Sequence, residues 1–137
     1  MNTFIDTSAL YALLDRDDQV HRAAAATWAG LLRAGDPLLT HNYVLVETTA
    51  LLQRRLGTAA VQALRDDLLP VLSTVWVDEN VHEMALTALI AARDREVSLV
   101  DRVSFECMRR RGVRRAFAFD RHFADQGFEV IPEGAAR

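Results

Sequence analysis

Apolar and polar positions along this chain follow two rhythms. Short apolar, β-compatible runs at Thr3 to Ile5, Leu38 to His41, Thr74 to Val77, Ala116 to Phe119 and Phe128 to Ile131 read as strands. Between them apolar residues recur every three or four positions, the helical rhythm. Ser8 to Leu14 predicts a first helix. Gln19 to Ala34 predicts a second, alanine-rich helix that stops at Gly35-Asp36-Pro37. Asn42 is placed to cap a third helix, with Val44, Leu45, Leu51, Leu52 and Leu56 apolar, Arg54 and Arg55 polar, and Gly57 at its end. Thr58 opens a fourth, to about Leu72 despite Pro70. Val81, Met84, Ala85, Ala88, Leu89 and Ala92 form one stripe of a fifth helix, Glu79 to Arg93. A sixth runs from Ser98 to Gly112, and Arg121 to Asp125 make a short helical turn. This alternation predicts an α/β fold: a three-layer sandwich with a central parallel sheet of about five strands and helices on both faces. One domain covers residues 1–131, and residues 132–137 are expected to form a frayed C-terminal tail.

Composition narrows the setting. At 137 residues and 50% hydrophobic content the chain can bury a core without a metal or disulfide staple, and its single cysteine cannot form an internal bridge. Cys107 reads as inert core, and Trp28 and Trp76 read as packing. The start, Met1 to Asp6, lacks a basic segment and carries an acid where a signal peptide is apolar, and no apolar run reaches membrane-spanning length. A cytoplasmic location is the expectation. Net charge is −3, so the molecule as a whole does not attract nucleic acid. All 16 basic residues are arginine, which fits codon usage in a GC-rich genome. Lysine-dependent chemistry, such as a P-loop, a Schiff base or a receiver-domain lysine, is excluded.

Four acids stand where a solvated face is not expected. Asp6 and Asp120 each follow the end of a predicted strand. Asp101 follows Leu99-Val100, and Glu47 lies in Tyr43-Val44-Leu45-Val46-Glu47. Each has a structural reading. Asp6 and Asp120 suit helix caps, and Ser98-Leu99-Val100-Asp101 is a capping-box pattern. Glu47 neighbours Tyr43, Val44 and Leu51 on its helix, which predicts a carboxylate on the core-facing stripe, with an internal arginine as one possible partner. Together they read differently. Ligands of open parallel sheets bind beyond the carboxyl ends of the strands, at the switch in strand order. All four acids are expected near that edge. Two unit charges about 4 Å apart repel by roughly 4 kcal/mol at an effective dielectric of 20, so such a cluster calls for a cation. All-oxygen ligation favours Mg²⁺ or Mn²⁺, and His21, His41, His82 and His122 form no zinc spacing.

Asp6-Thr7-Ser8-Ala9-Leu10 directly after the first strand, Val46-Glu47, Ser98-Leu99-Val100-Asp101 and Phe119-Asp120-Arg121-His122-Phe123 resemble, in this order and spacing, the PIN-domain family. The pattern spans residues 3 to 131, and the size resembles the VapC-type toxins of bacterial toxin–antitoxin pairs. The resemblance implies a Mg²⁺- or Mn²⁺-dependent endoribonuclease held inactive by a small VapB-type antitoxin. Asp6 and Asp101 would be the principal metal ligands, Glu47 and Asp120 would complete the catalytic acids, and the Ser8 hydroxyl would support Asp6. Ala118 departs from relatives that carry a small polar residue there, which removes one expected supporting hydrogen bond. Metal-activated water attacking the phosphate would leave a 5′-phosphate and a 3′-hydroxyl.

RNA must be drawn to an acidic pocket by its surroundings. Arg54, Arg55 and the cluster Arg109, Arg110, Arg111, Arg114 and Arg115 are the candidates, with Arg102, Arg121 and His122 next to site acids. The cluster also reads as a solvated helix end, and His122 as a packed surface histidine. An apolar fourth helix, Val61, Leu64, Leu68 and Leu69, predicts a homodimer face, and Leu10, Leu13 and Leu14 are expected to meet the antitoxin. A haloacid-dehalogenase-type phosphatase is disfavoured because Ser8 replaces its second aspartate and the lysine is missing. A PIN-like domain that binds RNA or protein without cleaving is the competing reading, and retention of all four acids argues against it.

Overall fold

The computed structural model describes residues 1–134. Five parallel strands lie in the order β3-β2-β1-β4-β5: β1 (Thr3–Ile5), β2 (Leu38–His41), β3 (Ser73–Val75), β4 (Arg115–Phe117) and β5 (Glu129–Ile131). β1 is the central strand, with Phe4 opposite Leu39 and Ala116. The chain moves outward from β1 to β3, then returns to β4 on the other side of β1. The strand order therefore reverses at β1 and β4, and the segments leaving those two strands diverge.

Helices fill the crossovers: α1 (Thr7–Leu14) and α2 (His21–Ala34) after β1, α3 (Asn42–Leu56) and α4 (Thr58–Ala63) after β2, α5 (Glu79–Ala92) and α6 (Leu99–Arg111) after β3, and α7 (His122–Asp125) after β4. Right-handed connections put the first four on one face of the sheet and the last three on the other. The predicted fourth helix is shorter than its apolar pattern. It changes to a π turn at Leu64–Leu68 and a 3₁₀ turn at Leu69–Val71, as Pro70 cannot donate to a helical ladder. Leu64 and Leu68 are buried in the core, with Val61 and Leu69 packed against it, so this segment does not offer the free face predicted for a dimer. Leu10 is likewise fully buried and cannot meet a partner.

Two further expectations are corrected. Asn42 does not cap α3; His41 does, its Nδ1 accepting from the Val44 N–H at 3.3 Å. Asn42 instead accepts from Val77 N at 2.7 Å. Burial pushes the His41 imidazole down to about 4, so it stays neutral, and its other nitrogen meets Ser104 Oγ at 2.8 Å. That contact ties the start of α3 to α6. Trp76 is not a packing residue but 74% exposed, whereas Trp28 packs against the core. Cys107 is buried, its thiol pushed up to about 11 by desolvation. Of the predicted tail, Pro132 to Gly134 form a turn, and residues 135–137 lie outside the described residues.

The core beneath the reversal point is aromatic. Phe123, fully buried, anchors α7 with its ring 5.2 Å from Phe105 and 5.9 Å from Phe4. Phe123→Ala is expected to cost about 3–5 kcal/mol, through lost transfer energy and the cavity left behind. A denaturant titration checks this; a cost under about 1 kcal/mol would contradict the packing.

Candidate metal centre

Asp6 is the first residue beyond β1. Its backbone N–H continues the sheet ladder to Phe117 O at 3.1 Å, and its side chain caps α1. Oδ2 accepts from Ser8 N at 3.2 Å and from the Ser8 hydroxyl at 2.7 Å. The same hydroxyl accepts from Phe119 N at 2.9 Å, so Ser8 ties the segment after β1 to the segment after β4. Asp6 is only 4% exposed, yet among the described residues no arginine pairs with it. Burial, and then the charge of Asp120, push its carboxyl up to about 7; the Ser8 hydrogen bonds oppose this, and Asp101 adds to it.

Asp101 sits in the first turn of α6. The capping box is real: Asp101 N donates to Ser98 Oγ at 3.2 Å, and Ser98 N donates to Asp101 Oδ2 at 3.1 Å. Capping and site formation coexist, because the capping contact engages Oδ2 and a carboxylate has lone pairs to spare. Burial is the largest cause of the raised Asp101 carboxyl, with Asp120 contributing and the Ser98 contacts opposing. Asp120 lies past the end of β4, after Phe119, where its Oδ1 accepts from His122 N at 2.9 Å. One carboxylate oxygen from each of Asp6, Asp101 and Asp120 lies within 4.8 Å of the others. Three segments distant in sequence thus deliver acids to the strand-order reversal.

Glu47 is placed differently from the expectation. The core face of α3 carries Val44, Thr48 and Leu52, one helical position round from Glu47. Glu47 is exposed on the flank, at the mouth of the same pocket, and outside the three-acid cluster. No arginine partners it among the described residues. Partial burial raises its carboxyl, the Thr7 hydroxyl opposes this, and the charges of Asp101 and Asp120 add to it. The pocket has a volume of about 410 Å³.

The arginine cluster is far from this pocket. α6 has 13 residues, so it is about 20 Å long, and Asp101 and Arg109 to Arg111 sit at its opposite ends. There Arg109 bonds Gln126, Arg110 pairs with Glu106, and Arg115 bonds Thr3 Oγ1. Arg121 pairs with Glu96 at 3.2 Å. Arg55 and His122 do line the pocket. Tyr11 and Glu96 line the pocket without having been singled out in the sequence, and Thr7 was given no role there beyond its place in the Asp6 motif. Thr7 accepts from buried Thr48 Oγ1 at 3.1 Å, a contact foreshadowed only by a threonine on the apolar face of α3.

The donor set suits a hard divalent cation. All three converging groups are carboxylates, and neither sulfur nor imidazole belongs to the cluster. Burial and mutual charge raise two of them, which a cation would reverse.

The fold is a parallel α/β sandwich with an acidic centre at the switch point of its sheet. The PIN domain profile matches residues 3–129. The chain belongs to the PIN-domain family. It is 40% identical over 132 residues to the 23S rRNA-specific endonuclease VapC20 of Mycobacterium tuberculosis, covering 95% of this chain and 98% of the relative. The crystal structure of that VapC20, described as a sarcin-ricin loop cleaving toxin, aligns with a TM-score of 0.80 at 38% identity, covering 92% of this chain and 95% of that one. FitAcB of Neisseria gonorrhoeae aligns at 0.70 and 13% identity, over 93% of this chain and 95% of that one. The DNA-bound VapBC of Salmonella typhimurium aligns at 0.66 and 13% identity, over 95% of this chain and 96% of that one. These last two share the fold.

Proposed function

We propose that this protein is a Mg²⁺- or Mn²⁺-dependent endoribonuclease toxin that cuts ribosomal RNA, with residues 1–131 as its catalytic domain. The observation that carries the reading is the convergence of Asp6, Asp101 and Asp120 oxygens within 4.8 Å at the strand-order reversal. The substrate class follows the 40% identical relative, whose named target is 23S rRNA. A bound divalent ion supplies an activated water and neutralises charge at the scissile phosphate. Asp6, Asp101 and Asp120 would hold that ion; the sequence alone pointed to Asp6 and Asp101. Ser8 fixes Asp6 and the Asp120 segment with one hydroxyl. Ser98 fixes Asp101. Glu47, exposed at the mouth, faces the substrate side, where its raised carboxyl can exchange a proton with water.

A toxin acting on ribosomes works in the cytoplasm and needs restraint there. A small VapB-type antitoxin with a basic side chain fits the acidic pocket, since an arginine fork satisfies two carboxylates at once. Among the described residues no helix is long and apolar enough to cross a membrane. A homodimer is the proposed assembly. With the fourth-helix face buried, its support is the exposed groove of Leu45, Val46, Ala50 and Trp76.

Incubation of ribosomes or 23S rRNA with purified protein, followed by sequencing of the RNA ends, tests the reading. Cleavage is expected to fall at least about a hundredfold when chelator removes the ion, since the ion supplies several kcal/mol of stabilisation. Undiminished cleavage in excess chelator would falsify the metal-dependent mechanism.

A further inference from the structure

The pocket is not uniformly acidic. Glu47, Leu51 and Arg55 lie at i, i+4 and i+8 on α3, and all three line it. Arg55 is the one arginine among the described lining residues, and among the described residues it forms no ion pair, although the charge of nearby Asp15 acts on it. It is also held in place. Its guanidinium stacks over the Tyr11 ring, 5.5 Å from the centroid. Tyr11 is 6% exposed, and its hydroxyl is fixed by a 2.6 Å hydrogen bond to Asp15. A stacked guanidinium has lost much of its rotamer freedom, so little more is lost when it grips a ligand.

Position then decides what it grips. Eight residues of helix separate Glu47 from Arg55, about 12 Å along the axis. Arg55 therefore lines the pocket about two turns of α3 beyond Glu47 and outside the three-acid cluster. Leu51, between them, offers an apolar floor for a ribose or base. Resting on the nuclease reading, we infer that Arg55, stacked on Tyr11, is a substrate-positioning residue that holds an RNA backbone phosphate next to the scissile one. The flanking strand then crosses Leu51, and α3 sets the register of the cut. This also resolves how an acidic pocket in a chain of net charge −3 retains a polyanion.

The test measures binding apart from cleavage. A fluorescently labelled RNA hairpin carrying the 23S sarcin-ricin loop is titrated onto protein in the Asp101→Asn background, across a range of salt concentrations. Arg55→Ala is expected to weaken binding about five- to twentyfold, as for loss of one charge-assisted contact. The slope of log affinity against log salt should fall by about 0.7–1. Arg55→Lys should recover most of the slope but not all of the affinity, because lysine keeps the charge without the fork. Arg33→Ala, an equal charge loss at the end of α2 that leads into the opposite edge of the sheet, should change neither. With Asp101 restored, Arg55→Ala should raise KM by the same factor and leave kcat within about twofold. An unchanged salt slope and affinity overturns the assignment, as does a loss confined to kcat. Unchanged RNA binding together with lost antitoxin capture also overturns it and gives Arg55 to the protein partner. Absent cleavage by wild type counts against the nuclease reading, while the binding arms still judge Arg55.

Discussion

Replacing Asp101 by asparagine is expected to lower RNA cleavage by on the order of a thousandfold while the protein stays folded. The reasoning separates the two jobs of this side chain. In the capping box Asp101 accepts from Ser98 N, and an amide oxygen can accept there as well. At the centre it contributes charge to a three-carboxylate cluster, and an amide contributes none. A cation held there would supply several kcal/mol of transition-state stabilisation, and each ~1.4 kcal/mol is tenfold in rate. Single-turnover cleavage of ribosomal RNA, with circular dichroism as the folding control, measures the effect. Expression in cells gives a second reading: wild type should arrest growth, the variant should not, and a small protein from an adjacent reading frame should rescue the wild type. Growth arrest reproduced in full by Asp101→Asn would refute the catalytic assignment.

Asp6→Asn should melt higher than wild type in metal-free solution at pH 7.5. The folded-state carboxyl of Asp6 is raised to about 7 from an ordinary value of 3.8, by burial first and then by Asp120. A folded pKa above the unfolded one means that the folded state binds the extra proton between about pH 4 and 7. Stability therefore falls as pH rises through that window. The full penalty persists above pH 7 and vanishes below about pH 4. Asparagine removes the ionisation and can still cap α1. A shift of this size corresponds to an upper figure of about 4 kcal/mol, and the expected rise in Tm is roughly 5–10 °C. The gap between variant and wild type should close as the pH is lowered to 4. Added Mg²⁺ should raise the wild-type Tm and barely move the variant. A metal-free Asp6→Asn that melts below wild type at pH 7.5 would mean that the strained acidic cluster is not there.

Local signals in the sequence determined a good deal. Period-two and period-four apolar patterns are short-range, so β1 and β2 are read with the bounds that the sheet shows, and α5 ends within one residue of its prediction. The acids Asp6, Asp101 and Asp120 were legible because each follows an apolar run at a strand end or helix start, and parallel topology sends those points to one edge. Glu47 was legible as a residue near the pocket, but its direction was not. A shift of one helical position, about 100°, separates the core face of α3 from the pocket mouth, and neighbouring apolar residues do not resolve that angle. What covers an apolar residue also lies beyond local pattern. Leu64 and Leu68 pack inward while Trp76 stays exposed, because the sheet and the turns after α4 decide which apolar side chains find a neighbour. The arginines show the same limit. Their clustering in sequence puts them at the far end of α6, about 12–15 Å along the axis from Asp101, whereas Arg55 reaches the pocket from another helix. The sequence by itself determined most element types and the parallel sheet, which follow from periods of a few residues, and it pointed to the sheet edge where Asp6, Asp101 and Asp120 meet. Only the tertiary structure decided which side of α3 faces the pocket, which leucines are covered and which of the candidate arginines lines the pocket, because those depend on contacts between segments tens of residues apart.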